Sequence, residues 1–134
     1  MKTKRNLTAI VLLLLVFSAC SDMEIDSRNQ FVGRYYVEEF NYTDGGLSYY
    51  DVRIRKVSNS EDEIVFENFF NADIDVFGVV VGNRVYIESQ TIDIFWTEGQ
   101  GTLSGDIINM VYDVVVTLGE SSYDHELSAI FTKY

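Results

Sequence analysis

From residue 31 onward the apolar side chains recur at every second position, and no window sustains the i, i+3, i+4, i+7 stripe of an amphipathic helix. Period-two alternation sends successive side chains to opposite faces of an extended strand. A chain patterned this way over most of its 134 residues can form a sheet and little else.

Turn residues divide the pattern into eight predicted strands. Residues 31–43 carry Gly33, Tyr35 and Val37 on one face and end at Asp44-Gly45-Gly46, where glycine takes positive φ at little steric cost. Residues 48–57 alternate Tyr50, Val52 and Ile54 with Asp51, Arg53 and Arg55, the signature of a strand with one buried face. Residues 63–70 put Ile64, Phe66 and Phe70 on one face, and the nearly continuous apolar run 74–81 is expected to be covered on both. Gly82-Asn83 then suits a two-residue hairpin. Residues 84–94 follow, with a bend or bulge expected near Ser89, Gln90 and Thr91. The sixth strand is read as short, 100–104, after a glycine-bearing loop; 107–117 and 123–133 close the set.

Short connections make such strands an antiparallel meander, and eight of them tend to close because closure removes exposed edges. The expected domain, residues 31–134, is a small barrel or one flattened toward a sandwich. At this size little apolar area remains to line a large dry cavity. Tyr50, Val52, Ile54, Ile108, Met110, Tyr112, Val114, Leu127 and Phe131 should form one core.

The first residues read differently. Lys2, Lys4 and Arg5 precede an apolar stretch, 7–17, too short to cross a hydrocarbon core but suited to the centre of a secretory signal helix. Ser18 and Ala19 then stand before Cys20, the only cysteine, which rules out an internal disulfide framework. Small-small-Cys after such a run resembles the lipobox of bacterial lipoproteins. The resemblance implies loss of residues 1–19, a diacylglycerol on Cys20 and attachment to the outer membrane; an ordinary cleaved signal leaving a free thiol is the alternative. Residues 20–30, with Asp22, Glu24 and Asp26, read as an acidic tether. That tract is similar to the export tag of Gram-negative surface lipoproteins, and equally to a plain solvated linker.

Gly33-Arg34-Tyr35-Tyr36-Val37 and Gly99-Gln100-Gly101-Thr102-Leu103-Ser104-Gly105 resemble the lipocalin-like domains of small Gram-negative lipoproteins. That resemblance implies a barrel. Tyr35 stands where larger lipocalins carry a tryptophan, an argument against a deep ligand calyx.

Chemistry is sparse. The only imidazole, His125, shares a strand face with Tyr123 and Leu127, away from Asp124 and Glu126, and reads as a partly buried or rim histidine. No Ser or Cys stands in an evident triad with it, zinc would want several His or Cys ligands, and no loop has the Asp-to-Glu spacing of a calcium hand. The chain is therefore expected to be no enzyme and to carry no cofactor or metal. A formal charge of −11 argues against nucleic-acid partners. Phe95 and Trp96, placed before the expected glycine loop, and Tyr36 and Tyr49, in the tyrosine-rich first hairpin, are the candidate ligand-binding residues. The resulting expectation is a membrane-tethered binding or accessory module for a protein, glycan or small apolar ligand. The alternative is an inhibitor-like acidic lipoprotein that captures a basic hydrolase.

Overall fold

A computed structural model describes residues 24–134. The signal segment expected at 1–19, the lipidation residue Cys20 and the start of the acidic tract lie outside the described residues. Eight strands follow one another: β1 (Gly33–Asn41), β2 (Leu47–Lys56), β3 (Glu63–Phe69), β4 (Ile74–Val81), β5 (Arg84–Ile92), β6 (Phe95–Ser104), β7 (Ile107–Leu118) and β8 (Ser121–Lys133). Each pairs antiparallel with its neighbour, and β8 returns to β1 through seven matched positions from Tyr35↔Lys133 to Asn41↔Leu127. The sheet is a closed barrel rather than a sandwich.

Inward residues fill that barrel. All nine expected core side chains belong to one cluster, together with Tyr35, Phe66 and Phe69, which are fully buried. Among the described residues the cluster runs from Phe31 to Phe131 in sequence.

Two expectations about the strands need correction. The segment 95–101 is not a loop: β5 turns at Asp93, whose φ is +57°, and β6 runs unbroken from Phe95. Gly99 and Gly101 face inward within that strand. A Cβ on Gly99 would collide with Tyr112 Cβ and stand 2.5 Å from the Val111 carbonyl oxygen, so these glycines mark close approach inside a strand. The run 74–81 is covered on one face only: Val76 and Val80 are buried, while Phe77 and Val81 face solvent. The bend expected near Ser89 does occur, as a register shift between Ile87 and Gln90.

The two ends of the barrel differ. At the end where β1 begins, a single 3-10 turn (Ser27–Gln30) closes the bottom. Arg28 is buried there, donating Nη1 to the carbonyls of Val57, Ser60 and Glu63 and pairing Nη2 with Asp26 at 3.0 Å. Phe31 follows, fully buried, and its carbonyl takes the Tyr35 hydroxyl at 2.7 Å. Residues 26–30, expected to be tether, are thus part of the folded domain. At the opposite end the β3–β4 turn lays half-buried Phe70 on the core, against Phe95 of β6 and His125 of β8, and β4 and β5 splay apart. Their pairing stops after Val79↔Tyr86, and the Gln90 side chain takes a strand's place, bonding the Phe77 N–H at 2.9 Å and its carbonyl at 2.8 Å.

Candidate functional site

This second end is built first by β1. Its inward residues are Gly33, Tyr35, Val37, Glu39 and Asn41, so alternation carries a carboxylate and then an amide into the barrel just below the rim. Glu39 is only 4% exposed. A carboxylate at that depth must be hydrogen-bonded, because an unpaired charge in a low dielectric is costly. Two tyrosines supply those bonds: Tyr50 donates to Glu39 Oε2 at 2.5 Å and Tyr112 donates to the same oxygen. The two hydroxyls lie 3.3 Å apart. Burial pushes the Glu39 carboxyl above the ordinary range, opposed by the hydrogen bonds from Tyr112 and Tyr50. Both tyrosines are also pushed up, chiefly by burial and then by each other or by Glu39.

Above this triad Asn41 Oδ1 accepts the Thr43 N–H at 2.9 Å, and Nδ2 lies 2.8 Å from His125 Nδ1. The imidazole packs against Phe70, whose ring meets Phe95 nearly edge-on at 6.3 Å. Phe70, Ile92, Phe95, Val116 and His125 are all half-buried, forming an apolar and aromatic rim over a polar floor. Phe69 and Tyr112, with ring centroids 4.7 Å apart, hold the floor in place.

The four candidate residues do not share one place. Phe95 is at the rim with its ring turned inward. Trp96, one residue on, lies on the outer face, where its Nε1–H bonds Ser89 Oγ at 2.8 Å. Tyr36 and Tyr49 stack on each other on the outer face of β1 and β2, with centroids 6.1 Å apart. His125, read as a rim residue, is one. Glu39 was missed, although a signal existed: it continues the phase of Tyr35 and Val37, whereas its neighbour Glu38 falls on the solvent face.

A second feature lies on the outside. Glu98, Asp113 and Glu126 are direct cross-strand neighbours on β6, β7 and β8, and all are exposed. With Glu88 they border a shallow cleft of about 590 Å³ over Gly99. Like charges placed opposite one another destabilise a sheet, so nothing in the fold itself favours this row.

No protein-family model and no curated protein matches the sequence. Among solved structures the chain is similar to a redesigned β-barrel, with a TM-score of 0.51 and 13% identity over 84% of this chain and 99% of that one. That likeness concerns the fold alone.

Proposed function

We propose that this chain is a non-catalytic, lipocalin-like lipoprotein, held at the outer membrane through Cys20, that binds a small apolar ligand or an apolar group of a larger partner at the end of its barrel ringed by Phe70, Phe95 and His125. The supporting observation is the asymmetry of the ends: Arg28 and Phe31 close one, while half-buried Phe70, Phe95 and His125 ring the other. Small-molecule sites are commonly concave and apolar with a few placed polar groups, and barrel mouths are a favoured position. The tether agrees with this orientation. Five residues, 21–25, separate Cys20 from Asp26, a stretch that extended chain spans in roughly 20 Å. Anchored there, the plugged end faces the bilayer and the rim faces away from it.

Two measurements test this reading. Intact-mass analysis of membrane-extracted protein is expected to give an acylated chain beginning at Cys20; a soluble species with a free thiol would sink the anchor. The neutral apolar dye N-phenyl-1-naphthylamine should brighten saturably on the chain starting at Ser21. Phe95→Ala should weaken that binding about tenfold, as for an aromatic anchor, and equal binding by this variant would move the site elsewhere.

The outward row of Glu98, Asp113 and Glu126 favours one other reading, an inhibitor-like capture of a basic hydrolase. Salt separates the two: charge-led capture weakens steeply with ionic strength, and dye binding at the rim does not.

A further inference from the structure

We propose that the seam between β4 and β5 is a docking slot for an extended, basic segment of a partner polypeptide, which adds to the sheet along β4 in the place held by the Gln90 side chain. The slot lies on the barrel wall, and its occupation does not require the rim to be a binding end.

Barrel closure normally removes free strand edges, and here it is incomplete at one seam. β4 pairs with β3 from Ile74 to Val79, but with β5 only at Val79, Val80 and Val81. Residues Ile74 to Gly78 therefore have a strand neighbour on one side alone. β5 does not end there: it pairs with β6 as far as Ile92, after a register shift between Ile87 and Gln90. The seam is tight at Gly78, where a Cβ would stand 2.7 Å from Val85 Cγ2, and it opens beyond that point. What spans the opening is one amide. Gln90 Oε1 accepts the Phe77 N–H at 2.9 Å and Nε2 donates to the Phe77 carbonyl at 2.8 Å, the two bonds that a paired residue of a neighbouring strand makes. The amide thus sits about one strand spacing, roughly 5 Å, from β4, and the β5 backbone stands farther off by the length of the Gln90 side chain. Every second residue of a strand turns its N–H and C=O to the same side, so those of Asp75 point into the same slot.

A cavity of about 270 Å³ opens over this seam, lined by Phe77, Ser89 and Gln90 and by two charged side chains, Glu63 and Glu88. Glu88 also borders the cleft of Glu98, Asp113 and Glu126, so the wall on the β5 side carries one sign of charge. Arg55 meets β4 from the other side, across β3, where it lies 2.5 Å from Glu67 and 3.9 Å from Asp75. Phe77 is 45% exposed beside the slot and offers its ring to an alkyl chain or a cation. A strand laid there pairs with both backbone groups of Asp75 and of Phe77, whereas Gln90 serves Phe77 alone. Its outward side chains, at alternate positions, stand beside Phe77 and the two carboxylates. Lysine or arginine fits those positions, and an acidic residue meets like charge.

The test uses the isotope-labelled full chain in a non-ionic detergent and three probes: a peptide of four Lys-Val repeats, a peptide of four Glu-Val repeats, and spermine, a polycation without a peptide backbone. The Lys-Val peptide is expected to shift the backbone amides of Asp75 and Phe77 and the side-chain amide of Gln90 saturably. At saturation it should slow hydrogen exchange at Asp75 about tenfold, and the other two probes should do neither. Gln90→Ala should bind the Lys-Val peptide about tenfold more tightly, because the bonds that Gln90 makes to Phe77 no longer have to be broken first. Should that variant fail to fold, the wild-type shifts and exchange rates decide alone. Equal shifts with spermine would reduce the slot to an acidic patch, and equal shifts with the Glu-Val peptide would remove its preference for charge; either overturns the proposal. So does a Lys-Val peptide that moves only Glu98, Asp113 and Glu126, or nothing at all. Weaker binding by folded Gln90→Ala would make Gln90 a contact rather than a placeholder and overturn its displacement.

Discussion

Asn41 Nδ2 stands 2.8 Å from His125 Nδ1, and this contact settles which imidazole nitrogen accepts a hydrogen bond. Thr43 N–H holds Asn41 Oδ1, so the amide can present only its NH2 group to the ring. In neutral His125 the proton is thereby placed on Nε2. Nitrogen-15 spectra should show His125 protonated at Nε2, and Asn41→Leu should yield a mixture of tautomers. An Nδ1-protonated ring in wild type would contradict the contact.

Glu39 should make stability depend on pH in the direction opposite to that of most carboxylates. Its folded-state pKa is raised above the ordinary 4.5, so its contribution is fully present below that value and is lost as pH rises through the folded pKa. Asp26, held well below the carboxylate range chiefly by its hydrogen bonds from Arg28 and Lys56, works the other way: its contribution is present above 3.8 and lost as pH falls. Urea melts of wild type and Glu39→Gln across this range should differ by a slope, wild type losing stability relative to the variant as pH rises from 4.5. Parallel curves would show that burial does not govern Glu39.

Gly99 and Gly101 should differ when changed to alanine. At Gly101 the new methyl meets the Met110 sulfur, the mobile end of a flexible side chain, whereas at Gly99 it meets the Tyr112 backbone and the Val111 carbonyl. Gly99→Ala should cost on the order of 3 kcal/mol and Gly101→Ala about 1 kcal/mol. Only the first should disturb the Tyr112 hydroxyl bond to Glu39. Thermal melts rank the pair, and the reverse order would contradict the packing.

Much of this fold was legible from residues 31–134 because one strand face is buried, and a buried face fixes register. Tyr50, Val52 and Ile54 showed that face plainly, and all three are core. The failures came where a residue type carries two meanings. Gly99 and Gly101 looked like loop glycines because a sequence does not distinguish a turn from a place where the facing strand leaves no room for a Cβ. Phe77 looked buried, yet β4 loses its β5 partner there and the Gln90 amide takes over, a contact between side chain and backbone that periodicity does not encode. Glu39 was in phase with the core and was passed over because carboxylates are rarely buried. The two tyrosines that make its burial tolerable lie 11 and 73 residues away.

The plugged end should come loose when Arg28 is removed. Arg28→Ala leaves the carbonyls of Val57, Ser60 and Glu63 without their shared donor and frees Asp26. Amide hydrogens in the 57–63 turn should exchange about tenfold faster, while those of β7 and β8 keep their protection. Arg28→Lys should recover only part, because an ammonium lacks the planar fork that spans three carbonyls and a carboxylate. Uniform acceleration across the barrel would show instead that the 3-10 turn is part of the global folding unit.

Site-directed labelling asks most directly which part of this barrel binds. In the chain starting at Ser21, which has no other thiol, Phe95→Cys puts one thiol at the rim and Tyr36→Cys puts one on the outer face. Both should react with a soluble maleimide. Saturating N-phenyl-1-naphthylamine should slow the reaction at position 95 about tenfold, by occupancy of the site, and leave position 36 unchanged. Protection at position 36 instead, or none at position 95, would contradict the assignment of the Phe95 rim as the binding end.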